Sequence, residues 1–131
     1  MASSAVSWVP PAARAAASHL HRFMRWSASR RRRDFPDYPA LHRWSLEHPE
    51  EFWADVADFA ALRFCRREAA VLEHPVMPGA RWFRGAELNF AANLLWCDDT
   101  RPALIARDEA GARRELDFPA LRAEVSRVAA G

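Results

Sequence analysis

The stretch DYPALHRWSLEHPEEFWADVADF, residues 37–59, decides the architecture of the first half of the chain. Asp37 can accept a backbone N–H at a helix start, and Leu41, Trp44 and Ser45 recur at three- and four-residue steps, which predicts a short amphipathic helix. His48-Pro49 then restarts the chain. Proline tolerates the first turn because its missing N–H is unpaired there anyway, and His48 is read as a capping residue. Glu50 and Glu51 follow where negative charge complements a helix N-terminus. Phe52, Val56 and Phe59 form the stripe that this second helix should bury.

Upstream, Ala13, Ala16, Ala17, Leu20, Phe23 and Met24 share one helical face, so a helix is expected over 12–27. It runs into Arg30, Arg31, Arg32 and Arg33, read as a solvated helix end whose cations complement free carbonyls. Asp34-Phe35-Pro36-Asp37-Tyr38-Pro39 breaks the pattern, since each proline removes a donor and biases its predecessor away from helix. Downstream, residues 63–84 carry His74-Pro75, Met77-Pro78-Gly79 and Gly85 and are expected to be irregular. Helical periodicity returns from Ala86 to Trp96 through Leu88, Ala91, Ala92 and Leu95. Ala103-Leu104-Ile105-Ala106 and Ala112-Arg113-Arg114-Glu115-Leu116 flank Asp108-Glu109-Ala110-Gly111, a β-hairpin with glycine supplying a positive φ. Asp117 is expected to cap a last helix through Leu121, Val125 and Val128. The fold class expected is α+β. A mainly helical N-terminal cap with irregular aromatic-rich segments comes first, then a hairpin and helix that want a larger sheet, since two strands alone are marginal in water.

Composition narrows function. The chain has 131 residues, half of them hydrophobic, with six Trp and eight Phe, which favours a packed soluble globular class over disorder. A formal charge of +2 gives the molecule as a whole no field that argues for nucleic acid or membrane as a partner. All nineteen basic residues are Arg. The absence of Lys removes every mechanism that needs an amine as nucleophile, base or phosphate clamp. Cys65 and Cys97 lack a paired spacing and read as reduced thiols of a cytoplasmic protein. No apolar run reaches the roughly 20 residues that span a bilayer. Residues 1–33, with seven Arg, several Ser and no acid, have the composition of a mitochondrial transit peptide, but Arg-only usage continues throughout and a surface helix with a basic end is the favoured reading.

Tests for chemistry-bearing constellations come out negative. His19, His21, His42, His48 and His74 show neither an i, i+4 pair nor a cysteine at ligand spacing, so no metal site is expected. Glu50/Glu51 and Asp98/Asp99 read as solvated charges. Gly79, Gly85, Gly111 and Gly131 are isolated, so no loop can cradle a phosphate. The Arg run with Phe23, Trp26 and Phe35 nearby suits nucleic acid in principle, but Asp34 and Asp37 beside it weaken that reading.

Two blocks carry a resemblance. Leu41-His42-Arg43-Trp44-Ser45-Leu46-Glu47-His48-Pro49-Glu50-Glu51-Phe52-Trp53 and the run from Met77-Pro78-Gly79-Ala80-Arg81-Trp82-Phe83 to Asn89-Phe90-Ala91-Ala92-Asn93-Leu94-Leu95 resemble, in order, the N-terminal region of the acetyl-CoA and acetoacetyl-CoA synthetase family. The wording of residues 77–83 and of 20–25 is similar to the acetoacetate branch. Departures are Ala92, where many members have an acid, and Leu116-Asp117-Phe118-Pro119 in place of a Thr-Tyr helix start.

The resemblance implies three segments: an N-terminal helix and basic linker (1–36), an acetyl-CoA synthetase-type N-terminal domain (37–97) and the opening of a truncated AMP-binding, adenylate-forming domain (98–131). It implies a fragment of an acetoacetate–CoA ligase, whose family uses ATP, Mg and CoA to make an acyl-adenylate and pass the acyl group to CoA. The phosphate loop, magnesium-binding acid and catalytic lysine of that family are expected beyond Gly131. No catalytic, cofactor-binding or metal residue is therefore expected within the chain, no cofactor bound by it, and no activity alone. The expected partner is the missing catalytic domain, in cis or as a separate chain, with no nucleic acid and no membrane. A fragment of an acetyl- or propionyl-CoA synthetase, or a docking subunit, is the alternative. Trp44, Phe52, Trp53, Trp82, Phe83, Leu88 and Asn89 are expected to carry packing, and Asn89 or Asn93 is the candidate for orienting a loop near the CoA path.

Overall fold

The computed structural model describes residues 8–67 and 70–131. It divides into two compact units, Met1–Leu62 with Arg66–Ala86, and Arg63–Cys65 with Glu87–Gly131. The helical cap, aromatic cluster and hairpin-plus-helix of the expected α+β class are all present.

The first unit opens with α1 (Ala12–Ala16) and α2 (His19–Arg31). The sequence predicts one helix here; the structure interrupts it because the Ser18 hydroxyl accepts the His21 N–H at 3.1 Å and starts a new helix. The helix α2 ends on Arg32, whose φ of 51° puts a non-glycine residue in the left-handed region. There the Arg33 N–H returns to the Ala28 carbonyl at 3.0 Å and offsets the strain by pairing a helix-end carbonyl. Next come α3 (Tyr38–Glu47) and α4 (Pro49–Phe59). The Asp37 carboxylate caps α3 by accepting the Ala40 N–H at 2.8 Å. His48 occupies the cap position of α4, but its ring accepts no cap hydrogen bond; Pro49 and the two glutamates set that helix start.

Phe23, Met24, Phe35, Leu41 and Trp44 form the core of this unit, with Phe52, Val56 and Phe59 packed half-buried against it. Rings meet edge to face as their quadrupoles favour: Phe23–Phe52 at 5.7 Å, Phe23–Phe59 at 5.3 Å and Trp44–Phe52 at 6.0 Å between centroids. Residues 63–84, expected to be irregular, contain short strands. β1 (Phe64–Arg66) comes first, and β2 (Leu72–Glu73) pairs antiparallel with β3 (Arg81–Trp82), Leu72 opposite Trp82. The pattern is too short for a period of two to show in sequence.

In the second unit β1 pairs with β4 (Glu87–Leu88). The helix expected from Ala86 to Trp96 shortens to α5 (Phe90–Leu94), because the Asn89 side chain accepts the Ala92 N–H and sets the start there. The hairpin follows as β5 (Pro102–Arg107) and β6 (Arg113–Asp117), with Leu104 opposite Leu116. Gly111 at φ 84° makes the turn, and the Asp108 carboxylate accepts the Ala112 N–H at 2.8 Å. Asp117 caps α6 (Phe118–Ala130) through the Ala120 N–H, also at 2.8 Å. No residue of α6 is buried, and Leu104, Ile105 and Val128 stay exposed. No helix among the described residues is long and apolar enough to cross a membrane.

Candidate functional site

The deepest polar feature of the first unit joins α2 to α4. Asp55 lies one helical turn from Phe52 and Phe59 on the inward side of α4 and is fully buried, as is Ser27 on α2. The Ser27 hydroxyl donates to Asp55 Oδ2 at 2.6 Å. Arg31 Nε donates to the same oxygen at 3.1 Å, Arg31 Nη2 to Oδ1 at 2.7 Å, and Arg30 Nε approaches Oδ1 at 3.2 Å. Arg30 also reaches Asp58 at 2.7 Å, which Arg67 engages as well. The hydrogen bond to Asp55 holds the Arg31 guanidinium above its usual pKa against a smaller opposing push from burial. The expectation of a solvated Arg30–Arg33 end is thus corrected for its first two members, because α4 brings two carboxylates alongside them. Glu51, read as solvated, lies 3.5 Å from Arg31. A carboxylate whose oxygens all face donors, and which sees no solvent, acts as a joint between helices and not as a general base.

Residues of the two sequence blocks meet at the surface of the same unit. Trp53 of α4 and Trp82 of β3 stand edge to face at 5.8 Å, and each remains more than two-fifths exposed. Behind them, Phe52 touches Trp53 at 5.3 Å and Trp44 is buried against Phe35 at 5.0 Å. Phe83 is half-buried with φ 44°, and its N–H donates to the Val71 carbonyl at 2.8 Å. An apolar cleft of about 390 Å³ opens between α2, α3 and α4, walled by Leu20, Phe23, Leu41, Phe52, Val56 and Phe59. Its rim groups are engaged locally: Ser45 donates to the His42 carbonyl at 2.7 Å, and Tyr38 stacks on His42.

In the second unit Leu88 is exposed and Asn89 serves as the α5 cap. The Asn93 carboxamide accepts the Arg63 N–H at 2.8 Å and donates to the Arg63 carbonyl at 3.0 Å, gripping that segment by both backbone groups. Arg122 donates to the Leu95 carbonyl at 3.1 Å and to that of Cys97, and pairs with Asp98 at 3.0 Å. Asp99, read as solvated, is indeed exposed but paired. Hydrogen bonds from the Arg101 side chain, then its N–H, then the Cys97 thiol, pull its carboxyl well below the usual range. Both cysteines are free, Cys65 exposed and Cys97 buried.

Among the described residues no three His, Cys, Asp or Glu come together as metal ligands. His19 contacts Arg22 at 2.8 Å and His48 sits beside Trp44 at 6.5 Å. The arrangement supplies partly exposed aromatic surface on an internally cross-linked helical scaffold. Sequence reasoning missed Ser27, Asp55 and Arg122. For Asp55 a signal existed, namely a carboxylate within the apolar stripe of a helix that follows an arginine run.

The family profile described as "Acetyl-coenzyme A synthetase N-terminus" matches residues 38–94. The chain is 36% identical over 121 residues to the acetoacetyl-coenzyme A synthetase of Rhizobium meliloti (strain 1021), covering 92% of this chain and 19% of that protein. It is 36% identical over 102 residues to a malonamoyl-CoA synthetase of Penicillium aethiopicum, covering 72% of this chain and 14% of that one. Among solved structures, acetoacetyl-CoA synthetase from Streptomyces lividans matches with a TM-score of 0.82 and 38% identity over 90% of this chain and 19% of that chain. The chain therefore spans less than a fifth of the length of each of these relatives. With two sequence blocks in order, a matching fold and matching relatives, the chain corresponds to the N-terminal portion of an acetoacetyl-CoA synthetase-like protein of the adenylate-forming superfamily.

Proposed function

We propose that the protein to which this chain contributes is an acid–thiol ligase that activates acetoacetate with Mg-ATP to an acyl-adenylate and transfers the acyl group to CoA in the cytoplasm. The chain itself is the docking cap of that enzyme and carries none of its bond-making groups. The observation that supports this most is the exposed Trp53–Trp82 pair, one ring from each sequence block, with Trp53 on the helix that carries the buried Asp55. Exposed aromatic pairs of this kind are what a domain interface desolvates. In this reading Trp44 and Phe52 hold the scaffold, Trp53, Trp82 and Leu88 meet the catalytic domain, and Asn93 orients the Arg63 segment toward the CoA path. The absence of Lys from the sequence fits a division in which the catalytic amine lies elsewhere.

The acyl group admits one specific rival. A malonamoyl-CoA synthetase is among the relatives, and malonamoyl differs from acetoacetyl only in an amino group for the terminal methyl, keeping the carbonyl at C3. A 3-oxo acyl substrate is common to both. The test is to incubate the purified chain with acetoacetate or malonamate, ATP, Mg and CoA. No thioester above the enzyme-free blank is expected, and thioester formation by the chain alone overturns the docking-cap assignment.

A further inference from the structure

Trp82 reaches Trp53 from a chain that turns sharply one residue later. Phe83 has φ 44°, a left-handed backbone in a bulky residue, in a region that glycine enters freely. Both of its backbone groups are pinned. Its N–H donates to the Val71 carbonyl at 2.8 Å, which extends the β2–β3 ladder one step beyond Leu72 and Trp82, and its carbonyl accepts the Ala86 N–H at 2.9 Å. The second bond closes the turn Phe83-Arg84-Gly85-Ala86, whose third residue, Gly85, has the positive φ, 78°, that a type II turn requires. Arg84 then donates back to Glu73 at 3.0 Å. An unbroken register would instead set Arg84 opposite Ala70, roughly 10 Å along the strand from Glu73.

We propose that Phe83 is a positioning residue for the Trp53–Trp82 pair and acts through its backbone: the left-handed exit at 83 ends β3 directly after Trp82 and holds that indole 5.8 Å from Trp53 at 68°. The use of this device rests on the docking-cap reading, since the pair it sets is the surface offered to the catalytic domain. Because β3 has only two residues, no long ladder orients Trp82, and its placement depends on how the chain leaves the strand. A residue with a Cβ populates the left-handed region roughly five- to thirtyfold less readily than glycine. Such a conformation persists where its surroundings over-determine it, and here two backbone hydrogen bonds and the Arg84–Glu73 ion pair do so. Each of these ties the exit to β2 or to the turn, and none involves either indole.

The test is circular dichroism of the full chain. Two indoles this close and this tilted couple their transitions into a bisignate band, so the spectrum of the chain minus that of Trp82→Phe isolates the pair. Phe83→Gly admits the left-handed backbone freely, and Phe83→Leu keeps its cost while removing the ring; both are expected to keep nearly all of the band. Phe83→Val is β-branched, and Gly85→Ala penalises the positive φ of the turn roughly five- to thirtyfold; both are expected to leave less than about half of it. The helical signal shows that each variant is folded, and where one loses it the other three decide. A band lost in Phe83→Gly and Phe83→Leu but kept in Gly85→Ala puts the role in the ring and overturns the proposal. A band that none of the four changes overturns it too. These spectra need no catalytic domain, so a band that follows the backbone, beside a ligase indifferent to both tryptophans, upholds the positioning role and refutes the docking cap alone.

Discussion

Replacing Asp55 by Asn tests the joint that holds α2 on α4. The carboxylate is fully buried and accepts from the Ser27 hydroxyl and from Arg31 through two nitrogens, with Arg30 Nε 3.2 Å away. Hydrogen bonds to a charged group contribute about 1.5–3 kcal/mol each, and removing one partner of a buried pair costs about 3–5 kcal/mol. Here the loss is smaller than a full sum, because the side chains of Arg30 and Arg31 keep 47% and 25% of their exposure and can turn to water. Asn also retains one acceptor. A destabilisation of about 3 kcal/mol follows, or roughly 15 °C in melting temperature for a unit of this size. Ser27→Ala removes one donor while Arg31 still covers Oδ2, so about 1–2 kcal/mol is expected. The double variant should cost less than the two singles together, since both act on one network. Circular dichroism melts of the two singles, the double and Glu109→Gln as an exposed control provide the measurement. A shift for Asp55→Asn no larger than that of the control, about 0.5 kcal/mol or less, refutes the reasoning.

Other outcomes follow from the same geometry. Trp44→Ala should cost about 3–5 kcal/mol by emptying the core site against Phe35 and Phe52, whereas Trp53→Ala, at a half-exposed position, should cost less than half as much in urea unfolding. Asp117→Ala should cost about 1 kcal/mol and lower α6 protection in amide exchange, because it strands the Ala120 N–H. The Asp99 carboxyl should titrate below the ordinary carboxylate range by carbon NMR, and Arg101→Gln should return it upward. Since its folded value is depressed, its contribution is present above the ordinary carboxylate range and is lost as pH falls toward the folded value.

What was legible in the sequence was whatever local chemistry dictates. Asp37, Pro49 and Asp117 marked three helix starts, and Gly111 marked the hairpin turn. Ser18 and Asn89 are cap residues of the same kind, yet both lay inside runs of helical periodicity, and the cap outweighed the period at each. Short strands such as β2 and β3 depend on a partner several residues away, which no local pattern encodes. The fate of Arg30 and Arg31 depended on Asp55 and Asp58, more than twenty residues on, so composition alone could only read them as solvated. The aromatic residues stood out in the sequence as a group; their division into buried Trp44 and exposed Trp53 and Trp82 required the packed helices.

The most direct test of the docking cap is a chimera in which this chain replaces the matching 121-residue segment of the Rhizobium meliloti acetoacetyl-coenzyme A synthetase, compared with the same enzyme lacking that segment. Acetoacetate-dependent formation of acetoacetyl-CoA is expected from the chimera and none from the truncated enzyme, with a reduced yield of folded, active chimera when Trp53 and Trp82 are both changed to Ala. A chimera no more active than the truncated enzyme, or one indifferent to the loss of both tryptophans, contradicts the docking cap.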